Sequence, residues 1–74
     1  MNNKIPRNLS LVKCTLSEEK IREFQYPFNG NIKYVFLGEI INMPGHCVVA
    51  DYNDGMIFSG YHTDDFVELT ESEV

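Results

Sequence analysis

Seventy-four residues make about half of one typical domain, which excludes a second domain and predicts a single one over 1–74. The chain is 43% hydrophobic, 12% aromatic and 23% charged, too apolar for intrinsic disorder. A domain near this size buries only about 60% of the surface its unfolded chain exposes, leaving few large apolar residues for a deep substrate pocket. The longest apolar runs, Tyr34 to Leu37 and Cys47 to Ala50, fall far short of the roughly 18 residues that span a bilayer, so no membrane segment is expected.

The net charge of −5 is unevenly spread. All six basic residues (Lys4, Arg7, Lys13, Lys20, Arg22 and Lys33) lie in 1–33, with only Glu18, Glu19 and Glu23 against them. From Tyr34 onward there is no Lys or Arg, while Glu39, Asp51, Asp54, Asp64, Asp65, Glu68, Glu71 and Glu73 are all acidic. Such a half cannot release counterions from a phosphate backbone, so direct nucleic-acid binding through it is not expected. A cationic protein partner suits it, and keeping a small domain in solution is the plainer use of the same acids. Met1 to Pro6 contains no apolar stretch and the two cysteines, Cys14 and Cys47, form no CxxC pair, which predicts a cytoplasmic chain with free thiols.

In chain order, 1–8 carries no pattern and is expected to fray. Leu9 to Leu16 alternates in part, as a strand half-buried on one face does. Over 18–26 two readings stay open. Ser17 before Glu18-Glu19-Lys20 caps a short helix, whereas Arg22, Phe24, Tyr26 and Phe28 alternate as in an extended arm; Pro27 ends either one. Asn29-Gly30 is a hairpin signal leading into Ile32 to Ile41, a strand apolar on both faces and therefore central. Asn42-Met43-Pro44-Gly45 reads as a turn. His46 to Tyr52 and Met56 to Gly60 are strands joined at Asn53-Asp54-Gly55.

The run Gly60-Tyr61-His62-Thr63-Asp64-Asp65-Phe66-Val67-Glu68-Leu69 resembles the end of a Src-homology-3-like barrel, in which a glycine after the fourth strand leads through one 3₁₀ turn into an aromatic-Val-x-Leu closing strand. The resemblance implies a mainly all-β fold, a small barrel of about five short antiparallel strands. Peptide-binding members hold polyproline ligands in an aromatic groove with a tryptophan that this chain lacks, and at the groove positions Thr63 and Phe66 stand here. The resemblance therefore implies fold rather than a proline-rich ligand.

His46, Cys47, His62 and Asp64 are ligand types for zinc, but strand neighbours point to opposite faces and the spacing fits no common zinc pattern, so no metal or other cofactor is expected. Cys47 in an apolar strand of the acidic half is a poor nucleophile, and Lys13 points away from Cys14. Asp64-Asp65 suits capping of a turn, and Thr70-Glu71-Ser72-Glu73 has capping-box spacing in what reads as a frayed acidic tail. The expected function is a non-enzymatic protein-interaction module that binds a basic protein surface through Tyr61, His62, Asp64 and Asp65. One alternative is an acidic mimic of nucleic acid that occupies a DNA- or RNA-binding protein; the least favoured is a thiol- or metal-dependent enzyme.

Overall fold

A computed structural model describes residues 5–74. The fold is mainly β: β1 (Leu11–Cys14), α1 (Glu18–Phe24), β2 (Tyr34–Ile40), β3 (Met43–Asp51), β4 (Ile57–His62), a 3₁₀ turn (Thr63–Asp65) and β5 (Phe66–Glu68). The five strands form one antiparallel sheet in the order β4-β3-β2-β1-β5. The strand apolar on both faces, β2, lies at its centre, as its composition demands.

The sheet is open rather than closed into a barrel, with β4 and β5 as its edges. All three residues of β5 pair with β1, through Val12–Glu68, Lys13–Val67 and Cys14–Phe66, and so short a strand forms no second ladder. Side chains link the two edges instead. Tyr61 of β4 and Phe66 of β5 both meet the ring of Phe28, with centroids 4.6 and 5.0 Å away and near-perpendicular planes, the edge-to-face arrangement that aromatic quadrupoles favour.

Phe28 lies in the irregular segment between α1 and β2 yet is buried with Val12, Cys14, Tyr34, Phe36, Cys47, Val49 and Phe66. Its ring also contacts Tyr34 and Phe58, at 5.5 and 5.4 Å. The Tyr34 hydroxyl, carried into this core, accepts the N–H of Asn29 at 2.9 Å, which pins the segment that delivers Phe28.

Of the two readings of 18–26, the helix is found. The Ser17 hydroxyl accepts the N–H of Lys20 at 3.2 Å, and Glu18 and Glu19 complement the positive end of the first turn. Gln25 takes a left-handed φ of 56° and its N–H donates to Arg22 O, while Tyr26 N–H donates to Ile21 O, a C-terminal cap that satisfies two otherwise free carbonyls. No residue of α1 is fully buried.

Two turn expectations are corrected. Asn29-Gly30 begins a turn closed by Ile32 N–H to Asn29 O, with the Asn29 side chain accepting Asn31 N–H at 2.8 Å. Gly30 has no left-handed φ; no strand precedes it to pair with β2, so the twist of a hairpin turn is not required there. Met43-Pro44-Gly45 belongs to β3 rather than to a turn, and Ile41-Asn42 makes the connection, with Ile40 opposite Met43. Because Glu39 already pairs with Cys47, Pro44, Gly45 and His46 bulge out of the β2–β3 ladder, where a residue without an N–H and a glycine at φ 79° are accommodated.

The expected fray covers 1–8, of which 1–4 lie outside the described residues. Pro6 is buried, Arg7 donates from its backbone N–H and its guanidinium to Glu68 at 2.7 and 3.0 Å, and Leu9 N–H donates to Phe36 O. The C-terminal tail is likewise tied down: the Glu73 carboxylate accepts from Thr70 N–H at 2.9 Å and pairs with the ammonium of Lys13 on β1.

Candidate functional site

The strand that carries Tyr61 and His62 contains one extra residue. Val48 pairs with Ser59, but the adjacent Cys47 pairs with Tyr61, so Gly60, at φ 90°, forms a bulge. The bulge sends Tyr61 to the core side, opposite buried Cys47, and sends His62 to the other face, opposite His46. Tyr61 and His62 therefore do not form one patch. Asp64 is exposed in the 3₁₀ turn and Asp65 half-buried. Burial pushes the Asp65 carboxyl above its ordinary range, with the His62 ring opposing that shift and Asp64 adding to it. The turn is fastened by Thr63, whose hydroxyl donates to Gly45 O at 3.2 Å, and by Thr15 N–H donating to Asp65 O at 2.8 Å.

On the core side, Tyr61 continues an aromatic row. Tyr26 meets Tyr61 edge-on at 5.1 Å, and Phe24 meets Tyr26 at 5.2 Å. Tyr26 and Tyr61 are half-buried and Phe24 is exposed, so the row runs from the core out to α1. Close by, Glu18, Ile21, Arg22, Phe28, Asn29 and Gly30 line a shallow depression of about 300 Å³. Phe24, Tyr26 and Phe28 alternate in the sequence, but alternation alone does not reveal that a helix end and a proline bend them onto β4.

On the opposite face, the rings of His46 and His62 lie 4.5 Å apart between centroids at an interplanar angle of 41°. His46 Nδ1 is 3.1 Å from Pro44 O. A carbonyl only accepts, so Nδ1 carries the proton in this contact. Sequence spacing missed this pair because the bulge at Gly60 sets its register.

The acids of the second half do not form a block. Glu68 is bonded to Arg7 and Glu73 to Lys13, because β1 inserts between β2 and β5. Asp51 and Asp54 accept backbone N–H groups of Asn53 and Met56 within their hairpin. Both thiols are buried, and burial lifts the Cys14 thiol and pushes that of Cys47 up to about 11, the direction that suppresses thiolate chemistry. Among the described residues, no group of three or more His, Cys, Asp or Glu side chains is placed to share a metal ion, and no helix is long and apolar enough to cross a membrane. Comparison with family models, curated proteins and solved structures gives no match.

Proposed function

We propose that this chain is a small, non-enzymatic interaction module of a reducing compartment such as the cytoplasm, and that it binds a protein surface rich in Lys or Arg. The observation that carries this reading is the row Phe24–Tyr26–Tyr61, partly open to solvent, whose last member is followed in the chain by the 3₁₀ turn with Asp64 and Asp65. An apolar, aromatic patch with a polar rim is the composition of a protein interface, and carboxylates at its border favour encounter with a cationic surface. The Src-homology-3-like reading of the architecture is supported by the 3₁₀ turn after β4 and the short strand Phe66–Glu68 that follows it; an unclosed sheet leaves that reading at the level of likeness. The alternative, imitation of a nucleic acid, needs carboxylates in a row at phosphate spacing. Neutralisation of Glu68 and Glu73 by Arg7 and Lys13 supports it less well.

Affinity capture from the source cell at two ionic strengths, about 0.05 and about 0.5 M, tests the proposal, since screening at the higher salt shortens the Debye length well below roughly 10 Å. The expected partner has a basic surface, is retained at low salt, and is lost at high salt, with Asp64→Lys, and with Tyr26→Ala. A partner that ignores salt and both substitutions removes the reading. A partner that normally grips DNA or RNA, and is displaced by it, favours the mimic instead.

A further inference from the structure

The His46–His62 pair belongs neither to the aromatic row nor to the core, and it answers to the chemistry of a ligand other than a protein. We infer that the two imidazoles form a surface site for a first-row divalent transition-metal ion of the zinc class.

Four observations converge on it. The residues are register partners on adjacent antiparallel strands, so the backbone itself holds their ring centroids 4.5 Å apart. A tetrahedral zinc with Zn–N bonds of about 2.0–2.1 Å sets its two nitrogens roughly 3.3 Å from each other, which requires two imidazoles to stand as close neighbours, as these do. His46 Nδ1–H is spent on Pro44 O, which leaves Nε2 as the nitrogen of the neutral ring that can take a ligand. A backbone carbonyl on the far ring nitrogen is the usual outer support of a metal-bound histidine. The carbonyl is presented by the Pro44–Gly45 bulge, and the partner ring is presented by the Gly60 bulge, so irregularities in two ladders aim one pair of rings. Finally, His62 is exposed and His46 half-exposed, so an ion can arrive from solvent.

Imidazole nitrogen selects the zinc, copper and nickel class over magnesium and calcium, which prefer oxygen. Two protein ligands leave the remaining coordination positions to water. Cys47, adjacent to His46 in sequence, pairs with Tyr61 on the core side and takes no part, so the set differs from the His-Cys combinations suggested by sequence proximity.

The test is a titration of the full chain, labelled with ¹⁵N, with Zn²⁺ alone at neutral pH, following the histidine ring nitrogens by NMR and the stoichiometry by calorimetry. One Zn²⁺ per chain is expected, moving the His46 and His62 ring signals together. His62→Ala, a surface change that leaves the core intact, and separately His46→Gln, which keeps a polar side chain, should each weaken binding by about tenfold or more. Excess Mg²⁺ should not compete. The inference is overturned by an absence of saturable binding at about 1 mM Zn²⁺ (a free energy near −4 kcal/mol). Binding that survives either substitution within about twofold, or that shifts backbone amide signals elsewhere in the chain while the imidazole nitrogens stay still, overturns it equally.

Discussion

Cys47 and Tyr61 stand opposite each other across β3 and β4, one residue out of step with the Val48–Ser59 pair beside them. The difference is Gly60 at φ 90°. That single insertion decides which side chain of the Tyr61-His62 dipeptide joins the core and which meets His46.

A Cβ at Gly60 would meet nothing within 4 Å, so the cost of a side chain there lies in the backbone alone. Gly60→Val should destabilise by about 1–2 kcal/mol, the strain of a β-branched residue in the left-handed region. Gly30 is the control. Its surroundings are equally open, but its φ is not left-handed, so Gly30→Ala should be neutral or stabilise by up to about 1 kcal/mol through the unfolded chain. Urea melts of both variants check the contrast; equal losses would remove the bulge from the account of the register.

Phe28 touches five aromatic rings, those of Tyr26, Tyr34, Phe58, Tyr61 and Phe66, and it bridges the two edges of an open sheet. Phe28→Ala should cost about 3–5 kcal/mol, a large share of the about 5–15 kcal/mol that holds a native domain together. Phe28→Leu should leave a folded but weakened protein. Phe24→Ala, at a position 45% exposed, should stay within about 1 kcal/mol of the parent. Denaturation midpoints that rank the three otherwise would displace Phe28 from the centre of the core.

Cys47 is fully buried and its thiol is pushed up to about 11 from 9.0, chiefly by burial. The native state therefore holds a proton that the unfolded state releases, and stability falls as pH rises from about 9 towards 11. Relative to Cys47→Ala, which lacks this titration, the parent should lose up to about 3 kcal/mol more across that interval. A thiol reagent at neutral pH should label Cys47 only as fast as the protein unfolds. Rapid labelling of the native chain would contradict its burial.

The sequence made those elements legible whose signals are local. The apolar character of β2 on both faces placed it at the centre, Asn53-Asp54-Gly55 marked the β3–β4 turn, where Gly55 has φ 77°, and Ser17 with two glutamates offered α1 as one of two readings of 18–26. Tertiary choices were hidden. Pro44-Gly45 has the composition of a turn and became a bulge because Ile41-Asn42 had already closed the hairpin. Phe28 alternates with Phe24 and Tyr26, but because Phe24 ends a helix that period does not tell which ring is core. His46 and His62 face each other only once the extra residue at Gly60 is counted, and His62 parts from Tyr61 and the aromatic row for the same reason. Periodicity tells which face a residue takes within a strand; it does not reveal where the count slips.

The last prediction concerns the tie between the C-terminal tail and β1. The Lys13 ammonium and the Thr70 N–H hold the Glu73 carboxyl down to about 2 from its ordinary 4.5. A carboxyl lowered on folding binds fewer protons in the native state than in the unfolded one across that interval, so its contribution is fully present above about 4.5 and is lost as pH falls to 2. The carboxylate is solvent-exposed, so screening keeps the effect small. Glu73→Gln should therefore melt slightly below the parent at neutral pH, with the gap constant down to about pH 5, closing below it and gone near pH 2. Added salt should narrow the gap at neutral pH, because the Lys13–Glu73 attraction passes partly through water. A gap that persists unchanged at pH 2 would trace the loss to packing of the amide, and would leave the tail held by its Thr70 turn rather than by charge.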